Sequence, residues 1–271
     1  MAKVSDQERR FYLEKIGPYQ AMITAILKQE KEQALLIQQD PANAPFKRLA
    51  LVEDMLTLTS YYIVVNGVSI SVLKAKNDEA LNDARKSLYK SIIYLEQVVT
   101  NLVDAGFSEY EDKAAAIASL DSLQRYSLVR KMGLAIHLLE NAYGDNSKWR
   151  WAFVELEGRY AAAAKNILDM KNIIVNTTPR SQHYESAVYH LRLVRRLLSQ
   201  AADRYRERYE LSTSRIDDFH QGINFLGALK RVLMITGGRE EVEVVQKKID
   251  AWSAKLEMDL RKQQEIPQRK E

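Results

Sequence analysis

The chain of 271 residues contains no cysteine, and this absence excludes several classes of site. A disulfide framework, a zinc site with cysteine ligands, an iron–sulfur cluster and a cysteine nucleophile all require a thiol. Histidine is scarce as well, with four residues, and the sequence has no serine-nucleophile, zinc-protease, Walker or dinucleotide-binding motif. We therefore expect no metal site, no cofactor and no enzymatic activity.

Charge of one sign is not in large excess. Forty Lys and Arg residues face 36 Asp and Glu residues, which leaves a net charge of +4. Such a balance does not call for nucleic acid as a partner. The first ten residues have no apolar run of the secretory type, so we expect a cytoplasmic location.

Proline and glycine are also few, with five and ten residues, and no proline lies between Phe46 and Thr178. Together with apolar residues at helical spacing, this composition predicts an all-α fold. Short loops favour antiparallel neighbours, either in one bundle or in a degenerate helical-hairpin array resembling tetratricopeptide repeats. The pattern predicts about eight helices, at residues 6–39, 46–76, 78–105, 109–142, 147–175, 181–209, 215–235 and 239–264.

Several local signals mark the predicted helix ends. Ser5 and Glu8 have the spacing of a capping box, and so do Ser108 and Glu111. Asn77 is positioned to cap the third helix and Ser147 to cap the fifth. Gly17-Pro18 is expected to kink or split the first helix. We predict a single all-helical domain over residues 1–262, followed by a polar tail over residues 263–271.

One segment, residues 55–73, holds no charged side chain across 19 positions. Its length approaches the roughly 20 residues needed to cross a bilayer. However, six of its side chains are Thr, Ser or Asn, and acidic and basic residues flank it. A buried central helix is therefore favoured over a membrane span, with two β-strands as a third interpretation.

The sixth predicted helix carries an arginine cluster. Between Arg180 and Arg215 there are eight arginines and no lysine. Arg192, Arg195 and Arg196 share a stripe and have no acid within four residues along the helix. Acids from a neighbouring helix could neutralise this cluster. Alternatively, it recognises carboxylates or phosphates of a partner, because the guanidinium group bonds to them bidentately.

Two tryptophans, Trp149 and Trp151, begin the fifth predicted helix on either side of Arg150. Residues two apart on a helix point in nearly opposite directions, so both rings cannot enter one core pocket. Either they close the end of the bundle, or one of them is an exposed anchor for a partner.

These observations favour a non-enzymatic helical scaffold or adaptor that binds a protein partner through the arginine-rich face. The predicted contacts are Arg180, Arg192, Arg195, Arg196, Trp149 and Trp151. The alternative is a helical protein that binds a small anionic or phosphorylated ligand, including an unrecognised enzyme. We do not expect nucleic acid or a membrane as a partner, and homo-oligomerisation stays open.

Overall fold

The computed structural model describes residues 5–144 and 149–265. Within these ranges it contains ten α-helices and no strand, which confirms the predicted all-α fold. The helices are α1 (Asp6–Gln39), α2 (Ala44–Leu73), α3 (Asp78–Val98), α4 (Glu111–Ala116), α5 (Ser122–Tyr143), α6 (Arg150–Asn166), α7 (Ile173–Asn176), α8 (Tyr184–Arg208), α9 (Ile216–Ile235) and α10 (Arg239–Glu265).

Two of the predicted helix caps are confirmed. The Ser5 hydroxyl accepts a hydrogen bond from the Glu8 amide at 3.2 Å, and the Glu8 carboxylate accepts one from the Ser5 amide at 2.8 Å. This reciprocal pair satisfies amide groups that have no partner within the helix. At the start of α3, the Asn77 side chain accepts a single capping hydrogen bond from the Ala80 amide at 2.9 Å.

Two of the predicted helices are each broken in the structure, which raises their number from about eight to ten. The helix predicted over residues 109–142 is interrupted at residues 117–121. The helix predicted over residues 147–175 is interrupted at residues 167–172. The capping box predicted at Ser108 was wrong. Ser108 lies in a 3-10 turn, where Glu109 accepts from the Gly106 amide at 2.6 Å, and α4 begins only at Glu111.

Helix α1 runs without interruption through Pro18, so of the two predicted effects the split was wrong and the kink stays a prediction. Pro18 lies on the exposed face, where water can bond to the carbonyl that proline leaves without a donor.

Helix α10 extends to Glu265, three residues into the predicted polar tail. The predicted cap Ser147 lies outside the described residues.

The chain separates into two compact units, and the first comprises the described parts of Met1–Thr100, Lys113–Leu120 and Ser127–Arg150. Helix α2 packs against both α1 and α3. Its side chains Leu51, Val52, Met55 and Leu58 are at most 1% exposed. The other contribution to this core comes from the inner face of α3, with Leu81, Leu88, Ile92 and Leu95 fully buried.

The second unit comprises Asn101–Asp112, Asp121–Tyr126 and the described part of Trp151–Glu271. Here α9 packs against α8 and α10 around aromatic side chains. Phe219 stacks on Tyr209 with ring centroids 5.0 Å apart and also contacts Trp252 at 5.7 Å. A methyl group on Gly222 would approach the Ala202 carbonyl to 3.1 Å, so glycine permits this close helix contact. The single domain predicted for residues 1–262 stays a prediction.

Helix α2 is the one candidate for a membrane span among the described residues. Its length and mean hydropathy of 1.5 meet the requirement, and 33% of the apolar window is buried inside the protein. One such helix is weak evidence for a membrane protein, because core helices of soluble proteins have the same length and composition. Its helical state decides against the two-strand interpretation.

Candidate functional site

The arginines between Arg180 and Arg215 fall into two groups, those with an ion-pair partner and those without one in the described part of the chain. Arg208 is the most buried member with an ion pair, which it makes with the buried carboxylate of Asp218. Its Nη1 also donates to the Trp151 carbonyl at 3.5 Å. These contacts hold the end of α8 against α9. The arginines with an ion-pair partner are Arg195, Arg204, Arg206, Arg208 and Arg215.

Arg195 has partners outside its own helix. Its Nη1 lies 3.2 Å from Oε2 of Glu241 on α10, and its Nη2 donates to the Thr236 hydroxyl at 2.6 Å. The guanidinium group therefore fastens α8 to the connection between α9 and α10. Of the two alternatives given by the sequence, Arg195 therefore follows the first, in which an acid from a neighbouring helix neutralises the arginine.

Arg192 and Arg196 differ from Arg195. Both are exposed, and neither has a hydrogen-bond or ion-pair partner among the described residues. They lie one turn apart, so their side chains emerge about 5–6 Å from each other. Tyr189 precedes Arg192 by three positions on the same stripe, and it is 50% exposed. We call these three residues, Tyr189, Arg192 and Arg196, the arginine surface.

The base of the arginine surface is fixed by packing. The Tyr189 ring stacks on Tyr126, with centroids 6.2 Å apart and an angle of 22° between the rings. Burial raises the pKa of Tyr160, and the positive charge of Arg196 opposes this rise. The planar guanidinium group of either arginine can bond a carboxylate through two parallel hydrogen bonds.

Arg180, Trp149 and Trp151 lie elsewhere. Arg180 is exposed in the loop before α8, without an ion pair in the described part of the chain. Trp149 belongs to the first unit and is half-buried, with the Arg85 guanidinium 4.6 Å from its ring centroid. Trp151 belongs to the second unit and is also half-buried. Both tryptophans are therefore partly covered, each within its own unit.

No group of three or more His, Asp or Glu side chains in the described ranges could hold a metal ion. His190 is instead a core residue, 1% exposed, with a ring nitrogen 3.0 Å from the Ala164 carbonyl. Burial lowers its pKa to about 4.

Sequence reasoning missed a pocket of about 230 Å³ in the second unit, which we call the Lys165 pocket. Lys165 on α6 is 4% exposed, and it lines the cavity together with Arg231 of α9. The rest of the lining is mainly apolar. It comprises Ala105, Gly106, Phe107, Tyr110, Met170, Ala228, Val232, Met234 and Ile235.

The Lys165 amine has few polar neighbours. Its Nζ donates to the Ala105 carbonyl at a long 3.4 Å and lies 5.6 Å from the Tyr110 ring centroid. Burial lowers the pKa of Lys165 to about 8, with Asp104 and Glu109 opposing the shift and Arg231 adding to it. Tyr110 is also buried, which raises its pKa to about 12.

A signal for this pocket is present in the sequence. Ala161 to Ala164 are followed by Lys165, and no other charged residue occurs before Asp169. A helix segment that is apolar on all sides is buried on all sides, so a lysine inside it has to be buried too. The contribution of Arg231 and the 105–110 loop comes from distant parts of the chain and has no local signal.

Comparisons with known proteins give one match. A search of curated proteins finds none that matches, and a search of solved structures also finds none. The profile of the TP0443 family matches residues 8–260, which is nearly the whole chain. The chain therefore belongs to the TP0443 family.

Proposed function

We propose that this protein is a non-enzymatic helical adaptor that binds an acidic segment of a protein partner through the arginine surface. The observation that carries the proposal is the exposure of Arg192 and Arg196 without an acidic partner in the described part of the chain. Five other arginines of this region have such a partner. Unpaired exposed guanidinium groups can bind carboxylates without first breaking an internal ion pair.

Tyr189 adds the second component of a protein-binding surface. Tyrosine supplies a broad apolar ring and a polar hydroxyl, and arginine and tyrosine are both enriched at the energetic centres of interfaces. The ring is half-exposed but held by Tyr126, so little side-chain freedom is lost on binding. The proposal no longer includes Arg195, which Thr236 and Glu241 engage, or the two half-buried tryptophans.

The test is a pull-down from native lysate with an Arg192→Ala/Arg196→Ala double variant beside the wild type. The matched control is Lys247→Ala/Arg261→Ala, which removes two exposed positive charges from α10. Circular dichroism establishes that all three proteins fold. We expect a stoichiometric partner to bind the wild type and the control but to be lost from the arginine variant.

Two results would contradict the proposal. Partners that bind the arginine variant as strongly as the wild type would exclude the arginine surface. Equal losses in the arginine variant and the α10 control would show a dependence on overall charge rather than on this surface. Raised salt should also weaken a genuine complex, since the contacts are between exposed charges.

A further inference from the structure

We propose that the Lys165 pocket is a binding site for a small monocarboxylate with a hydrocarbon body. This site belongs to the second unit and is independent of the arginine surface. The proposal rests on three features of the pocket, which are its size, its apolar walls and its buried, poorly satisfied cation.

The size and walls of the pocket indicate which kind of uncharged group the ligand carries. At about 230 Å³ the cavity is larger than the roughly 150 Å³ cavity that holds benzene, and it is smaller than most drug-sized sites. Phe107, Met170, Val232 and Ile235 supply apolar surface, and the Met side chains can adjust to an irregular shape. These walls favour a short hydrocarbon chain or a single ring over a sugar or a nucleotide.

The Lys165 amine sets the charge of the ligand. An ammonium group has three hydrogens to donate, yet the only hydrogen bond of Lys165 in the described residues is the long one to the Ala105 carbonyl. No carboxylate lies within ion-pair distance of it there. Burying a cation without a counter-ion is costly, and a ligand carboxylate would supply both the opposite charge and the missing acceptors.

The nearby protein carboxylate is already engaged. Asp104 accepts from Nε of Arg231, and its negative charge raises the pKa of that guanidinium group. Asp104 also favours the charged form of Lys165 but makes no ion pair with it in the described residues. Arg231 is half-exposed and lines the same pocket, where its charge is paired with that of Asp104. Among the lining residues that the structure describes, Lys165 is thus the cation without an ion pair, which favours an anion with an apolar body.

The first experiment needs no variant. Isothermal titration of the full chain with octanoate, 1-octanol and octylammonium compares one hydrocarbon chain with three head groups, at concentrations below micelle formation. We expect octanoate to bind at least about tenfold more tightly than 1-octanol, and octylammonium to bind least. Equal binding of octanoate and 1-octanol would overturn the proposal, and so would a lack of octanoate binding.

A pair of variants then assigns the binding to Lys165. Lys165→Met keeps an unbranched side chain that is one atom shorter and removes its charge, and Lys171→Met removes an exposed charge close to the pocket in sequence. We expect Lys165→Met to weaken the binding of octanoate by about tenfold or more. The affinity for 1-octanol should be unchanged or higher. Lys171→Met should bind octanoate like the wild type. Unchanged octanoate binding in Lys165→Met would contradict the proposal.

Two further measurements separate this site from misfolding and from the adaptor function. Lys165→Met removes a buried charge, so its thermal midpoint should equal or exceed that of the wild type. The Arg192→Ala/Arg196→Ala variant should bind octanoate normally, because the arginine surface contributes no lining residue. A loss of octanoate binding in that variant would contradict the assignment to the Lys165 pocket.

Discussion

His190 shows how a single buried side chain links the stability of the protein to pH. Its pKa is about 4 in the fold because burial disfavours the charged ring, whereas the ordinary value of about 6.5 applies in the unfolded chain. Between these values the unfolded chain binds a proton that the folded chain excludes. The free energy of unfolding should therefore fall by about 2 kcal/mol from this residue between pH 7 and pH 5.

The measurement is urea unfolding of the wild type and His190→Gln at both pH values. Glutamine can still donate to the Ala164 carbonyl but does not titrate, so the loss of stability should be smaller in this variant. His220→Gln, at an exposed position, is the control and should retain the wild-type loss. An equal loss in His190→Gln and the wild type would exclude His190 as the source.

At the same scale, the candidate site was predictable only in part. The charge, spacing and unpaired state of Arg192 and Arg196 along their own helix could be read from the sequence. The partners of Arg195 could not be read from the sequence, because Thr236 and Glu241 lie more than 40 positions later in the chain. The sequence places these three arginines on one stripe, and only packing decides which of them remains exposed.

At the scale of elements, the helix ends with local caps were predictable and the two breaks were missed. The break before α5 has a signal, since Asp121 and Gln124 form a reciprocal capping pair at 2.8 and 3.0 Å. This pair has the same spacing as Ser5 and Glu8, and helix-favouring alanines before it obscured the break. The break after α6 contains neither Gly nor Pro, so composition alone does not reveal it.

Pro18 yields a prediction at this scale. It lies inside α1 on the exposed face, where it removes one backbone hydrogen bond and contributes little packing. Pro18→Ala should raise the free energy of unfolding by about 1–3 kcal/mol, as measured by urea denaturation. Pro179→Ala is the matched control. This loop proline restricts the unfolded chain, so its replacement should not raise the free energy of unfolding. A neutral or destabilising Pro18→Ala would show that the helix does not gain from the restored bond.

At the scale of the whole molecule, helix α2 decides between a protein that folds around an apolar helix and one that inserts it into a bilayer. Several polar groups of α2 already have hydrogen-bond or ion-pair partners within the first unit. The buried Asn66 side chain accepts from the Asn77 amide at 2.9 Å, and the Ser69 hydroxyl donates to the Ala75 carbonyl at 2.8 Å. Glu53 pairs with Lys131 of α5 at 2.9 Å. Insertion would break these contacts and would bring the Glu53 charge close to lipid.

We therefore expect the full chain to stay in the supernatant after ultracentrifugation of a detergent-free lysate, and not to float with lipid vesicles. Met55→Asp and Thr57→Asp form a matched pair on α2, since Met55 is fully buried and Thr57 is exposed. A charge at position 55 should destabilise the core by several kcal/mol, while one at position 57 should be tolerated. In a membrane span both charges would be costly. A chain that pellets with membranes until detergent is added, and that tolerates neither charge, would overturn the core assignment of α2.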